Sequence, residues 1–297
     1  MKIAFWSNAK GKCGTTSNLA GISGMLALEE KGEMVLLENH QSYNCVENAL
    51  VPVGRKAEMV KEPAHLYGLS GMEYLLKKLH CGLIDAHTLE GVSRKLFGEQ
   101  LRYIPHSQIS GKDLFEYELY QSIEELLGWM DQQDEIYLID TEYGGNLSSK
   151  YILEHADLIV VNLCQSGAVL NQFFEQYQSL IDKSVFLLGN YHPNSRYSQK
   201  NILRKYQIDK KHLAVIPYNM EYHDALEEGT VLHFLERNMH CSKRNDNYIF
   251  MRDMKKAVDM IWSKILEYKE MEEKNGRNDS QSDRNGQTCD ADLSLSE

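Results

Sequence analysis

The sequence predicts an α/β fold: a doubly wound, mostly parallel sheet with helices on both faces. Seven short apolar runs recur, and most are continuous rather than alternating, as is typical of strands buried on both faces. Amphipathic stretches separate them, and such alternation gives right-handed crossovers in a parallel sheet. The predicted strands are residues 2–6, 34–37, 101–104, 136–139, 158–163, 185–188 and 213–216.

Helical spacing of apolar residues predicts the elements that cover this sheet. Residues 115–130 and 168–181 both carry apolar side chains three and four positions apart. A final helix over 248–268 has a continuous apolar stripe. Its polar face mixes both charges, which favours a helix that closes the core over a membrane-surface or partner helix.

The chain divides by composition into one domain, residues 1–272, and a tail, residues 273–297. The tail is polar with few apolar residues and cannot bury enough surface to offset its ordering entropy, so we expect it to be disordered. Within the domain, residues 51–100 show two predicted helices, 71–80 and 86–96, and no clear strand. We interpret them as a helical insertion on one face of the sheet.

Composition excludes several classes of function. The net charge of -11 over 297 residues gives no strong nucleic-acid signal. The six cysteines form no C-x-x-C pair, which excludes a zinc motif and a disulfide framework and predicts free thiols in a reducing compartment. The first residues show no secretory leader, and no apolar run approaches the roughly 20 residues of a transmembrane helix. We therefore expect a cytoplasmic protein.

The segment after the first strand has the pattern of a phosphate-binding loop. Residues 7–17 read S-N-A-K-G-K-C-G-T-T-S and lead into a helical stretch. The pattern G-x-x-x-x-G-K-[ST] ends at Thr16, and Gly14 and Thr16 fit it. Ala9 stands for the first glycine and Thr15 for the lysine. The sequence therefore predicts a nucleotide site that lacks its usual cation.

Two other strands lead into residues suited to a magnesium site. Asp140 directly follows the apolar run 136–139, and a carboxylate at the end of a buried strand is a common Mg²⁺ ligand. Glu38 ends the run 34–37, and His40 follows it. A neutral imidazole can orient an attacking water, although it supplies no acceptor charge. The alternative is that His40 is a loop residue without a catalytic role.

The first loop resembles the deviant phosphate loop of the MinD/ParA ATPases, K-G-G-x-G-K-T-[ST]. The matching residues are Lys10, Gly11, Gly14, Thr16 and Ser17. Lys12 stands for the second glycine, Cys13 fills the free position, and Thr15 stands for the second lysine. The resemblance implies that these eight positions bind ATP, with the Thr16 hydroxyl on Mg²⁺. It also implies a nucleotide-dependent homodimer, because the family's leading lysine, here Lys10, reaches the partner's nucleotide.

The missing lysine has an energetic consequence. A charge-assisted contact to phosphate is worth about 1.5–3 kcal/mol, so its loss at Thr15 weakens nucleotide binding by roughly ten- to a hundred-fold. Lys12 can restore the charge if it folds back over the loop.

Four other segments resemble motifs of the same family. Residues around Asp140 resemble I-I-I-D-T-P-P-G, which implies a magnesium ligand. Residues 34–44 resemble the family motif V-L-L-I-D-x-D-P-Q-G-N. Glu38 keeps its first carboxylate, and His40 stands for the second aspartate, which positions the attacking water in the family. Asn190 follows a strand where the family recognises the base, and Pro217 lies in its I-P-x-[DN] turn. An amide can pair with an adenine edge, although Asn190 is also a common turn residue.

The resemblance implies an ATP-binding protein whose hydrolysis is weak or absent and which acts in spatial positioning or regulation. The changes at Thr15 and His40 are similar to those of the atypical TadZ/CpaE-like branch, which positions pilus or secretion machinery at a cell pole. That branch implies recruitment to a membrane or pole by a partner. The alternative is a nucleotide-independent pseudo-ATPase scaffold. A small-molecule kinase or ligase is disfavoured because such enzymes use the cation missing at Thr15.

Overall fold

The computed structural model has an eight-stranded sheet covered by helices on both faces. It describes residues 1–42, 45–52, 54–55, 71–105 and 111–286, with residue 273 and residues 275–286 described by backbone alone. The strands are β1 Lys2–Trp6, β2 Met34–Glu38, β3 Arg94–Phe97, β4 Leu101–Tyr103, β5 Ile136–Asp140, β6 Leu158–Leu163, β7 Ser184–Tyr191 and β8 Leu213–Pro217.

The strands follow the order β3-β4-β2-β5-β1-β6-β7-β8 across the sheet. Each neighbouring pair is parallel except β3 and β4, which are antiparallel. All seven strands predicted from apolar runs are present within a few residues of their predicted bounds. The predicted fold class is therefore confirmed.

The centre of the sheet brings three carboxyl ends together. β1 lies between β5 and β6, and Phe5 is in register with both Asp140 and Val160. β2 lies on the other side of β5, with Glu38 in register with Asp140. The residues of these strands are buried along their whole length, which explains their continuous apolar sequences. The loops after β1, β2 and β5 consequently meet at one edge.

Helices pack on both faces and form two apolar cores. The described α-helices are α1 Thr15–Leu28, α2 Val46–Leu50, α3 Gly71–His80, α4 Thr88–Val92, α5 Lys112–Gln121, α6 Ile123–Asp131, α7 Leu147–His155, α8 Gly167–Gln176, α9 Gln199–Tyr206, α10 Met220–Glu228, α11 Val231–Asn238 and α12 Tyr248–Gly286. The apolar stripe of α12 is buried against α1 and the sheet, as predicted for a helix that closes the core. Within the described part of the chain, none of the helices combines the length and apolar character that crossing a bilayer requires.

The structure corrects the prediction for the insertion 51–100. The predicted helix 86–96 is wrong in its second half, where helix α4 ends at Val92 and strand β3 pairs with β4. Pairing with the exposed edge of the sheet outweighs a helical pattern this short. Residues 53 and 56–70 of the insertion lie outside the described residues.

Other boundaries differ from the predicted ones. The segment 115–130 is two helices, α5 and α6, separated at Ser122. The segment 168–181 is helix α8 followed by a 3₁₀ turn, Gln178–Lys183. Helix α12 extends to Gly286 and so enters the segment 273–297 predicted to be disordered, because each residue added to an existing helix gains a hydrogen bond. Residues 287–297 lie outside the described residues.

Candidate functional site

The loop between β1 and α1 turns at two glycines with left-handed backbones. Gly11 has φ 66° and Gly14, which precedes α1, has φ 70°. At Gly11 an added Cβ would meet nothing within 4 Å, so the backbone conformation rather than space requires glycine there. Among the residues that the structure describes, none caps the first amides of α1 with its side chain. The loop therefore presents N–H donors at a helix N-terminus, a geometry that binds anions.

Three buried groups hold this loop against the sheet. The Asn18 side-chain amide donates to Asn162 Oδ1 over 2.8 Å and to the Cys13 carbonyl over 3.4 Å. Asn162 lies within the apolar strand β6 and is fully buried. Gly189 of β7 lies so close that an added Cβ would be 2.2 Å from the Cys13 carbonyl oxygen. The sequence signal for this support was a lone amide, Asn162, inside an apolar strand.

Two residues of the loop are held by side chains from other elements. The Cys13 thiol is buried beside Cys164, which follows β6. This contact and burial raise the pKa of Cys13, whereas the hydrogen bond from Cys13 and the positive charge of Lys12 lower the pKa of Cys164 to about 7. At the other end of the loop, the Tyr222 hydroxyl donates to the Ser17 carbonyl over 2.6 Å. Cys13 and Ser17 therefore take part in packing the loop.

The loop meets β5 at Thr16. The Thr16 hydroxyl donates to Asp140 Oδ2 over 2.5 Å. Asp140 is the last residue of β5 and is 1% exposed, whereas Thr16 is half-buried in the first turn of α1. The structure thus brings together the two residues that the sequence assigns to a magnesium ion, although they are 124 positions apart in the chain.

Glu38 and His40 join the same cluster. His40 Nε2 lies 3.3 Å from Asp140 Oδ2, and ligand atoms of Glu38, His40 and Asp140 all lie within 4.8 Å of one another. Burial raises the pKa of Glu38 to about 8, while the charge of His40 opposes that rise. Burial alone would lower the pKa of His40, but the charge and hydrogen bond of Asp140 outweigh it and raise that pKa to about 9. The Asp140 carboxylate therefore favours the protonated form of the imidazole.

Asn39 is a buried linker that the sequence reasoning missed. Its amide donates to the hydroxyls of Ser148 and Ser149 over 3.0 and 2.9 Å, and its carbonyl accepts from the Glu142 N–H over 2.6 Å. It therefore ties the end of β2 to the loop after β5 and to α7. The only signal in the sequence was a short polar side chain between Glu38 and His40.

We expect Asn39→Leu to lower the free energy of unfolding by about 1–3 kcal/mol, because the half-buried Glu142 N–H loses its acceptor and the buried hydroxyls of Ser148 and Ser149 lose their donor. Urea denaturation measures this change. Asn201→Ala is the control, since Asn201 is exposed on α9 and its loss should cost no more than about 0.5 kcal/mol. Equal stability of the two variants would contradict the role of Asn39 as a linker.

The two loop lysines are exposed. Lys10 Nζ lies 5.4 Å from the centre of the Tyr143 ring, in the segment after β5. Lys12 lies near enough to Cys164 for its positive charge to lower the pKa of that thiol. Thr15 is half-buried as the first residue of α1. The described loop therefore carries both cations at its rim.

The residues predicted to contact a base lie at neighbouring strand ends. Asn190 is exposed near the end of β7 with φ 49°, and Pro217 ends β8, where it is in register with Tyr191. Asn190 directly follows Gly189, which touches the loop through Cys13. These positions are close to the loop in the fold, and the left-handed backbone of Asn190 also suits a turn residue.

The donor groups fit a magnesium nucleotide in part. The loop amides suit phosphate oxygens, and the Thr16 hydroxyl and Asp140 carboxylate are the hard oxygen donors that Mg²⁺ uses. His40 places a nitrogen beside Asp140, where an all-oxygen site would have a further oxygen. The arrangement can hold a phosphate chain and a divalent cation.

Comparison with known proteins gives a fold-level answer. No family model matches the chain, and no curated protein matches it. Solved structures do match. A ParA family ATPase from Chlorobium tepidum superposes with a TM-score of 0.61 and 14% identity, over 87% of this chain and 96% of that one. The fold is that of the MinD/ParA ATPases.

Two further structures support the MinD/ParA-like fold. The cell division ATPase MinD of Pyrococcus furiosus gives a TM-score of 0.61 with 16% identity, over 88% of this chain and 97% of that one. MinD of Pyrococcus horikoshii, a septum site-determining protein complexed with Mg-ADP, gives 0.61 with 14% identity, over 88% and 95%. Identities this low establish the shared architecture, and the site must be argued from this chain's own residues.

Proposed function

We propose that this chain binds ATP together with a divalent cation, Mg²⁺ in the simplest case, and acts in spatial positioning or regulation rather than in metabolism. The observation that carries the proposal is the 2.5 Å contact between Thr16 and Asp140 beneath a glycine loop. A helix N-terminus, a hydroxyl and a strand-end carboxylate at one point are what a metal–phosphate complex requires. The MinD/ParA-like fold and the Mg-ADP of its P. horikoshii neighbour support it.

We propose the following roles for the site residues. The backbone amides from Lys10 to Ser17 hold the phosphates, and Asn190 and Pro217 flank the base. Thr16 and Asp140 hold the cation, which when bound neutralises charge on the phosphate oxygens. Glu38 and His40 face the same point, where they orient water. Asn39 keeps the loops after β2 and β5 in place.

Hydrolysis in this site should be slow or absent. Phosphoryl transfer is accelerated mainly by electrostatic stabilisation of the charge that develops in the transition state. Thr15 supplies no cation, and Lys10 and Lys12 lie at the rim of the loop. His40 stands beside Asp140, where the resembling motif has an aspartate, and an imidazole supplies no acceptor charge for the attacking water. A binding-driven switch is therefore better supported than an efficient ATPase.

The proposal extends to partners. We propose a nucleotide-dependent homodimer in which Lys10 reaches the second copy of this chain; the exposure of Lys10, whose Nζ lies beside the Tyr143 ring, supports this role. A positioning role requires a partner that recruits the protein to a membrane or cell pole, and pilus or secretion machinery is our proposal for that partner.

Asp140→Asn tests the proposal. We expect the variant to lose the cation-dependent gain in ATP affinity, a ten-fold loss or more, because the amide cannot hold a divalent ion as the carboxylate does. Titration of a fluorescent ATP analogue with Mg²⁺ and with EDTA measures the affinity in the presence and in the absence of the cation. Asp134→Asn is the control, since Asp134 is exposed ahead of β5.

Thermal unfolding separates the proposal from its alternative. Ligand at a hundred times its dissociation constant adds about 2.7 kcal/mol to stability. No shift in melting temperature at millimolar Mg-ATP would contradict the proposal and favour a nucleotide-independent pseudo-ATPase scaffold.

A further inference from the structure

The cluster Glu38, His40 and Asp140 has a mixed set of donor atoms. It offers two carboxyl groups and one imidazole nitrogen, each on a side chain that is at least 92% buried. Thr16 adds a hydroxyl that contacts the same Asp140 oxygen as His40 Nε2. Mg²⁺ favours oxygen ligands throughout, whereas imidazole suits transition metals. A preference for Mg²⁺ therefore does not account for the imidazole nitrogen in this donor set.

The spacing of these atoms suits direct coordination. Around an ion with bonds of about 2.1 Å, adjacent ligands lie about 3.0–3.4 Å apart and opposite ones about 4.2 Å. His40 Nε2 lies 3.3 Å from Asp140 Oδ2, the separation of adjacent ligands. The widest separation in the cluster is within 4.8 Å, so a small inward movement of the side chains brings all three donors onto one ion.

The imidazole is held in the orientation that coordination needs. His40 Nδ1 is hydrogen-bonded to the Ser42 hydroxyl at 3.1 Å, which leaves Nε2 directed at Asp140. A metal-binding histidine characteristically has its second nitrogen fixed by an outer hydrogen bond. Glu38 is held in turn by the Val46 N–H, which donates to its Oε1 over 2.7 Å.

We propose that Glu38, His40 and Asp140 bind a divalent transition-metal ion directly, with His40 Nε2 as a ligand, and select it over Mg²⁺. This deepens the proposed function, on which it rests for the location of the cation. The chemical class is a divalent first-row transition-metal ion of the Mn²⁺, Fe²⁺, Co²⁺ and Zn²⁺ series, which accepts nitrogen and carboxylate ligands together. The ion displaces the protons of His40 Nε2 and Glu38 to solvent, because only the deprotonated groups coordinate a metal.

Mn²⁺ is the probe, because it is paramagnetic and reports its ligands. The full chain is loaded with one equivalent of Mn²⁺, without and with ADP, and examined by pulsed electron paramagnetic resonance. We expect modulation from a directly bound ¹⁴N nucleus, which His40→Gln removes and His155→Gln preserves, since His155 is exposed on α7. A wild-type spectrum without ¹⁴N coupling overturns the proposal. This outcome is read from the wild-type protein and does not depend on whether a variant folds.

Competition measures the selectivity. Mg²⁺ is titrated against bound Mn²⁺ in wild type and in His40→Asp, which replaces the nitrogen by a carboxylate oxygen. We expect His40→Asp to lower the preference for Mn²⁺ over Mg²⁺ at least ten-fold. An unchanged ratio in a variant that keeps the wild-type circular dichroism spectrum contradicts the proposal.

The two proposals fail in different ways. ATP binding with no ¹⁴N coupling leaves the proposed function intact and removes histidine coordination. A ¹⁴N-coupled ion in a protein that does not bind ATP or ADP removes the nucleotide function and keeps the metal site.

Discussion

Gly189→Ala should abolish ATP binding and lower the free energy of unfolding by at least about 2 kcal/mol. The new Cβ would lie 2.2 Å from the Cys13 carbonyl oxygen and 3.1 Å from Asn18 Nδ2. The first contact is with backbone, so no side-chain rotation relieves it. Either β7 or the glycine loop must move, and a moved loop no longer directs its amides at phosphate.

The control for this prediction is Gly128→Ala. Gly128 lies inside α6, where an added Cβ meets nothing within 4 Å, and alanine there should stabilise the helix by about 0.5–1 kcal/mol. Urea unfolding and titration with a fluorescent ATP analogue give the two readouts. If Gly189→Ala keeps wild-type stability and affinity, the loop does not depend on its contact with β7.

The fold was predictable because its strands are buried on both faces. A continuous apolar run between helical stretches, such as residues 158–163, is typical of a strand that is buried on both faces. Strand β3 was missed because it is a short edge strand whose half-exposed residues lack that apolar signature. Its existence depends on pairing with β4, a contact that no local pattern reveals.

The site was predictable in its location and less so in its support. Motif spacing identified Thr16 and Asp140, which the structure places in contact. The raised pKa of His40 could not be predicted from the sequence, because it results from the charge and hydrogen bond of Asp140, a residue that lies beside His40 only in the folded chain. Gly189 and Asn39 were missed for a related reason: their importance lies in atoms of distant segments that approach only after folding.

Thr15→Lys should strengthen ATP binding roughly ten- to a hundred-fold. Thr15 begins α1, next to the Thr16 hydroxyl and at the loop's glycine turn. A lysine there restores a charge-assisted phosphate contact of about 1.5–3 kcal/mol. A cation at a helix N-terminus is unfavourable by about 0.3–1 kcal/mol when no anion is bound. The variant should therefore be slightly less stable alone and more strongly stabilised by ATP.

This opposite response of the free and bound states distinguishes a phosphate contact from general attraction. Asn201→Lys is the matched control, because it adds the same charge at an exposed position on α9. It should change neither the ATP affinity nor the melting temperature appreciably. Melting curves with and without Mg-ATP measure both effects. If Thr15→Lys binds ATP no better than wild type, the glycine loop does not receive the phosphate chain, because a lysine at the start of α1 would then have no phosphate to contact.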